Sequence, residues 1–99
     1  MAVAVVECDN LEEVRARIDA VDRELVRVLA ERAAYVRQVP RFKREAAEAA
    51  APARVEQVVA NARQLAAAHG TDPDLVERVY RAMIAWFVAA ETRTLERRG

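Results

Sequence analysis

The sequence predicts an all-α fold of three helices, and three observations support it. Only two glycines and three prolines occur in 99 residues, so the chain has few points at which a helix must break. Apolar residues recur at steps of three and four, which is the spacing of one helix face, and the strict alternation typical of strands is absent. The length is that of one domain. We expect a tail over residues 1–10 and a helical domain over residues 11–97.

The first predicted helix runs from residue 11 to about residue 38, roughly 42 Å. Asn10 is its expected N-cap, and Glu13 at the third helical position forms a weaker version of the capping box. Pro40 ends the helix, because it lacks a backbone donor and disfavours the helical conformation of the residue before it. We call its repeating a and d positions the helix-one seam: Leu11, Val14, Ile18, Val21, Leu25, Val28, Arg32, Tyr35 and Val39.

The second predicted helix begins near Pro52, because proline suits the first helical position. It ends at His69 and Gly70, where a glycine after the last turn is a stop signal. Its apolar face consists of Val55, Val58, Val59, Ala62, Leu65 and Ala66.

The third predicted helix begins with Asp72 as N-cap and Pro73 in its first turn, and it runs to about Glu96. It is intermediate in length between the other two. Trp86 and Phe87 are expected to lie in its core. Its apolar stripe consists of Leu75, Val76, Val79, Tyr80, Met83, Ile84, Phe87 and Ala90.

The helix-one seam is too long for two shorter helices to cover. A short chain also buries a limited share of its surface, about 60–65%. The economical solution is a second copy of the same helix, so the sequence predicts an interlocked all-helical homodimer.

Composition excludes several classes of function. Lysine plus arginine and aspartate plus glutamate are sixteen each, and this zero net charge argues against a nucleic-acid surface. Cys8 and His69 are too few and too far apart for the usual zinc sites, so no metal is expected. No apolar run approaches the roughly 20 residues of a membrane span. The N-terminus lacks the basic region of a signal peptide, and we expect a cytoplasmic protein.

Several cations occupy unusual positions. Arg32 lies in the seam, where it either needs an anion or extends to the edge to pair with a glutamate. Arg15 flanks the same seam seventeen residues earlier, about 25 Å away along one helix. Arg54 follows an irregular segment at about residues 40–51, and it is equally compatible with a position on the solvated surface. Lys43, just after Pro40, is the single lysine of the chain.

One stretch, LEEVRARIDAVDRELVRVLAERAAYV, resembles the first helix of the AroQ-class chorismate mutases in the spacing of Arg15, Asp19, Asp22 and Arg32. RFK at 41–43, EAA at 45–47, APARV at 51–55 and MIAWF at 83–87 resemble one branch, the isochorismate-pyruvate lyases of salicylate-siderophore pathways. The resemblance runs from about Leu11 to Glu91. It implies an intertwined helical homodimer.

The resemblance also implies a substrate and a set of roles. The family's substrates are cyclohexadiene diacids with an enolpyruvyl ether, and the reaction is pericyclic, with no cofactor. Arg32 and Arg15 of the partner subunit would hold the two carboxylates, because guanidinium groups bind carboxylates in a fork. Lys43 would meet the ether oxygen, and residues 41–51 would close over it as a cationic lid. Further substrate-binding positions are Arg54, Val36, Val58, Phe87 and Val88.

Two departures from the family pattern bear on the substrate. Typical mutases carry carboxylates for the C4 hydroxyl of chorismate, where this chain has Ala49 or Ala50 and Val55. That loss favours the lyase branch. The family usually places glutamine opposite the ether oxygen, and here the position is Glu91. A carboxylate there would repel a dianionic substrate unless protonated, and the sequence does not fix its protonation state. Our hypothesis is that Glu91 works as the neutral acid.

We therefore expect an isochorismate-pyruvate lyase that makes salicylate and pyruvate, with chorismate mutase side activity. One alternative is a dedicated mutase of chorismate or 4-amino-4-deoxychorismate. A second alternative is a non-catalytic helical dimer that binds an aromatic acid or a partner protein. Arg15, Arg32, Lys43 and Arg54 together disfavour this last interpretation.

Overall fold

The structure, a computed structural model, describes residues 4–43 and 51–98. In these ranges the chain forms three α-helices and one short 3-10 helix, with no strand, which confirms the all-α prediction. The elements are α1 (Leu11–Val36), the 3-10 helix η1 (Val39–Phe42), α2 (Pro52–Ala68) and α3 (Pro73–Arg98). Within the described chain, none of the helices combines the length and apolar character needed to cross a membrane.

The described residues divide into two compact units, residues 4–37 and residues 38–98. The first unit contains α1, whose start is the predicted one. The Asn10 Oδ1 atom accepts a hydrogen bond from the Glu13 backbone N–H at 2.9 Å. In return, Glu13 Oε2 accepts from the backbone N–H of Asp9, at 3.0 Å, one residue earlier than the usual capping box.

The end of α1 lies at Val36, about two residues before the predicted end. The last backbone bonds of the helix include Arg37 N–H to the Ala33 carbonyl at 3.0 Å. Pro40 has no N–H to give to the Val36 carbonyl, and its ring would clash with that carbonyl in a continuing helix. The chain therefore leaves the α conformation one turn before the proline and continues as η1.

The helix-one seam is uncovered in the single chain. Its apolar members from Leu11 to Val28, together with Tyr35, are between 40 and 67% exposed. Residues 5–8 run beside the first half of α1 and form an open groove of about 470 Å³ with it, lined largely by valine and isoleucine side chains. Such a continuous apolar surface is typical of a helix that packs against another protein chain.

The second unit is built on α2 and α3, which pack against each other. The stop signal after α2 is confirmed. Gly70 has φ 77°, and the N–H groups of Thr71 and Gly70 donate to the carbonyls of Ala66 and Ala67 at 2.9 and 3.2 Å. These two bonds form a Schellman motif, which glycine favours because it has no Cβ to oppose a positive φ.

The start of α3 is also confirmed, because Asp72 Oδ1 accepts from the Asp74 N–H at 2.8 Å. Its length differs from the prediction. With 26 residues α3 is as long as α1, not intermediate, because neither glycine nor proline interrupts it before Gly99.

The core of this unit is narrow and made mostly of small side chains. Val59, Ala62 and Ala66 of α2 and Leu95 of α3 are at most 4% exposed. The expectation that Trp86 belongs to the core is wrong for the single chain, since Trp86 is 61% exposed. It meets the Phe87 ring edge-on, with centroids 5.1 Å apart. An alanine-rich face on α2 is too narrow to cover the whole apolar surface of α3.

A chain of ion pairs joins α2 to α3. Arg63 Nη1 donates to Asp74 Oδ1 and Glu77 Oε1 at 2.9 and 2.8 Å. Arg81 Nε donates to Glu77 Oε2 at 2.7 Å, and its two terminal nitrogens bind both oxygens of Glu56 at 3.0 Å. The hydrogen bonds from Arg81 hold the pKa of Glu56 and Glu77 below the ordinary value. We call this set of ion pairs, which links α2 to α3, the α2–α3 clamp.

Candidate active site

Two predicted site residues meet in the second unit. The Lys43 Nζ atom lies 3.2 Å from Glu91 Oε2, although the two residues are 48 positions apart in sequence. The side chains are 21 and 8% exposed. A partly desolvated pair of this kind interacts more strongly than an exposed one, and removing either partner leaves a buried charge.

The position of Lys43 follows from Pro40. Pro40 is buried and is the second residue of η1, and the Lys43 N–H donates to the Pro40 carbonyl at 3.3 Å. Lys43 itself has extended backbone angles (φ −110°, ψ 146°), so the 3-10 helix ends there. Because η1 packs on α3, the end of η1 places the Lys43 side chain at Glu91.

Glu91 is the buried charged residue of α3. Its second oxygen, Oε1, is buried and has no hydrogen-bond partner among the residues that the structure describes. Phe87 and Val88 lie one helical turn earlier on the same side of α3, and both are half-buried. The result is a carboxylate with one oxygen on a lysine and the other without a donor, beside an aromatic and an aliphatic side chain.

The predicted α2 residues differ in environment. Val58 is half-buried, as expected for a residue lining a site. Arg54 is exposed, and its Nη1 atom donates to Gln57 Oε1 at 2.6 Å. Val55, where the family pattern would have a carboxylate, is half-buried, whereas Ala49 and Ala50 lie outside the described residues.

The predicted α1 residues are Arg15, Arg32 and Val36. Arg15 is exposed, and Arg32 and Val36 are half-buried. Both arginines lie on one continuous helix, so about 25 Å separates them and a single α1 does not bring them together. A small diacid could contact both arginines only if they came from different chains.

The sequence assigned Lys43 and Glu91 to the same substrate oxygen but missed that they pair with each other. A signal was present, because opposite charges directed at one atom must also approach one another. The sequence did not indicate that Lys43 is largely buried, at 21% exposure. The rest of the predicted lid, residues 44–50, lies outside the described chain.

The arrangement suits electrostatic chemistry. Lys43 offers a compact cation with rotatable donors, and Glu91 offers either an acceptor or, when protonated, a donor. Among the described residues, no three His, Cys, Asp or Glu side chains are grouped so as to hold a metal ion.

Comparison with known proteins gives consistent findings. The family model for chorismate mutase type II matches residues 14–92. The chain is 31% identical to an isochorismate pyruvate lyase of Pseudomonas aeruginosa over 87 residues, 88% of this chain and 86% of that protein. It is 35% identical to a 4-amino-4-deoxychorismate mutase of Streptomyces pristinaespiralis over 77 residues, 77% of this chain and 60% of that protein.

Proposed function

Because the chain belongs to the chorismate mutase type II family, we propose that it is an isochorismate pyruvate lyase with chorismate mutase side activity. The observation that carries the proposal is the position of Lys43, which is held in a mostly buried place at 3.2 Å from Glu91. A desolvated ammonium stabilises negative charge far better than one in water. The ether oxygen of an enolpyruvyl substrate gains such charge as its bond to the ring breaks.

The proposed reaction needs no co-reactant. Conversion of isochorismate to salicylate and pyruvate breaks the ether C–O bond, moves a ring hydrogen to the enolpyruvyl methylene and makes the ring aromatic. Atoms and electrons balance within the substrate. The protein therefore has to hold the reactive conformer and stabilise the ether oxygen, and both tasks suit Lys43 and the arginines.

We place the two substrate carboxylates on arginines from two chains. The uncovered helix-one seam supports a homodimer in which α1 of each copy packs against α1 of the other. Within one α1 the two arginines are too far apart to bind the same small molecule. In an antiparallel pair of α1 helices, Arg15 of the partner subunit approaches Arg32, so the two side chains can reach one substrate. Arg54, at the start of α2, supports the same site, and Val36, Val58, Phe87 and Val88 line it.

Glu91 has the second role at the ether oxygen. As the neutral acid it donates a hydrogen bond, which an ionised carboxylate cannot do. The orphan Oε1 atom supports this role, since it is free of any donor in the described chain and can carry the proton.

Two other functions stay open to test. A mutase acting on chorismate or 4-amino-4-deoxychorismate is favoured by the similarity to the Streptomyces mutase. An ionised Glu91 beside an ammonium-bearing substrate would suit the second of these. A non-catalytic dimer that binds an aromatic acid would need the arginines but not Lys43.

The test is product identification. The purified protein is incubated separately with isochorismate, chorismate and 4-amino-4-deoxychorismate, and products are identified by chromatography and NMR. The lyase proposal expects salicylate and pyruvate from isochorismate at the highest kcat/KM. Faster conversion of chorismate or its amino analogue to a prephenate-type product would replace the lyase by a mutase. Binding without any product would favour the non-catalytic dimer.

A further inference from the structure

The Lys43–Glu91 pair leaves an electrostatic imbalance that substrate binding must resolve. Glu91 Oε2 accepts from Lys43, while Oε1 is buried and has no donor in the described part of the chain. The Lys43 ammonium therefore balances the negative charge of a carboxylate that is only 8% exposed. A buried carboxylate is tolerated only while such a partner remains.

Among the described residues of α2, α3 and η1, few other charges face Glu91. On α3, the side chains one turn away are uncharged: Phe87, Val88, Thr94 and Leu95. Arg93, two positions on, is exposed and leaves the helix in another direction. In η1, Arg41 is exposed. On α2, each of the three charged side chains has a recorded partner other than Glu91: Arg54, Glu56 and Arg63.

The proposed function directs the ligand's ether oxygen to the same ammonium. Lys43 must then share its three N–H donors between Glu91 and the ligand. The ligand also brings two carboxylates, and like charges in a desolvated site oppose each other. An ionised Glu91 would then be buried, would share its cation with the ligand and would lie next to an anion.

We propose that binding of the dianionic substrate is coupled to uptake of a proton at Oε1 of Glu91, as Lys43 comes to share its donors with the substrate. This inference rests on the proposed function. The proton comes from solvent and no covalent bond to carbon changes. Uptake removes the unpaired charge and converts Oε1 from an acceptor without a donor into a donor. The ligand-free ion pair thus becomes a cation and a neutral acid, both available to the substrate.

The coupling is transient over a turnover. Isochorismate carries two carboxylates, and salicylate and pyruvate together also carry two. No net proton is therefore consumed, and the proton taken up on binding is released when the products leave. In a weakly buffered solution this predicts a pulse of pH, a rise on binding followed by a return on product release. An ion pair with only a structural role would not produce such a pulse.

The first test is rapid mixing of the protein, in excess, with isochorismate near neutral pH and a pH-indicator dye. We expect uptake of about one proton per bound substrate, followed by its release. Glu91→Gln should form salicylate without the pulse. Glu96→Gln, an exposed glutamate of the same helix, should leave the pulse unchanged.

The outcomes separate the inference from the function. Salicylate formed by the native protein without proton uptake overturns the inference and leaves the lyase in place. An equal pulse in Glu91→Gln also overturns it, because another group would be taking the proton. No product and no binding with isochorismate or chorismate would overturn the proposed function and this inference with it.

A second test needs no ligand. Lys43→Ala removes the cation that pairs with Glu91, without any ligand present. The carboxyl ¹³C signal of Glu91, assigned by comparison with Glu91→Gln, should report an ionised group in the native protein and a neutral one in Lys43→Ala at the same neutral pH. A carboxylate that stays ionised without Lys43 would overturn the inference.

Discussion

Lys43 is the cation that we propose stabilises the ether oxygen. Lys43→Ala should lower kcat by about 10²–10³, the effect of losing one preorganised donor at a developing oxyanion. Lys43→Arg should restore activity incompletely, because a planar guanidinium does not replace a compact ammonium. Arg41→Ala is the matched control, since it removes an exposed cation from the same 3-10 helix. Native turnover in Lys43→Ala would remove Lys43 from the mechanism.

The same variant also bears on stability. The structure shows a mostly buried lysine paired with Glu91. Leaving a buried partner unsatisfied costs about 1–3 kcal/mol. We expect a loss of this size in urea unfolding at neutral pH, and a smaller loss in acid, where a protonated Glu91 needs no cation.

The proposed neutral-acid role of Glu91 predicts how turnover depends on pH. If it acts as the neutral acid, kcat should be highest at acidic pH and decline as the substrate complex loses the Glu91 proton. Glu91→Gln supplies a permanent amide donor of the same shape, so it should flatten the decline and raise activity at pH values above the decline of the native protein. The measurement is kcat against pH for both proteins. Superimposable profiles, or a glutamine variant that is less active on the alkaline side of the decline, would show that Glu91 acts as an anion or points elsewhere.

At the scale of elements, the ion pairs between α2 and α3 predict acid sensitivity. The hydrogen bonds from Arg81 lower the pKa of Glu56 and Glu77 from the ordinary value of 4.5. A carboxyl whose folded pKa is depressed stabilises the fold above its unfolded pKa and loses that contribution as pH falls through the folded one. Stability should therefore decline below about pH 4.5.

Arg81→Gln removes the main partner of both carboxylates. Its thermal unfolding should depend less on pH in this acid window than that of the native protein. It should also depend less on salt, because exposed pairs are screened. Arg78→Gln, an exposed arginine of the same helix, is the control. An Arg81 variant with unchanged pH and salt dependence would mean that the α2–α3 clamp contributes nothing to stability.

The sequence predicted the capping residues of the helices better than it predicted side-chain environments. Asn10, Asp72 and Gly70 act through bonds to residues close in sequence, so their roles were readable without the fold. The exposure of Trp86 and the pairing of Lys43 with Glu91 depend on how η1, α2 and α3 pack, which local sequence does not encode. The end of α1 was misplaced because the steric effect of Pro40 reaches back a full turn.

At the scale of the whole molecule, the helix-one seam predicts a dimer. In the described ranges no large side chain is fully buried, which is unusual for a protein meant to fold alone. We expect a dimer mass at micromolar concentration by light scattering. Val21→Asp, in the seam, should dissociate or unfold it, whereas Ala30→Asp, on the opposite face of α1, should not. A folded, active native monomer would contradict the interlocked architecture.

A site completed by two chains is tested most directly by mixing inactive variants. Arg15→Ala and Arg32→Ala are each expected to abolish salicylate formation from isochorismate. When they are unfolded and refolded together in equal amounts, mixed dimers contain one site in which both arginines are native. Activity should return to roughly a quarter of the native value, because about half of the dimers are mixed and each has one intact site. No recovery, from a mixture shown to contain mixed dimers, would contradict a site shared between chains.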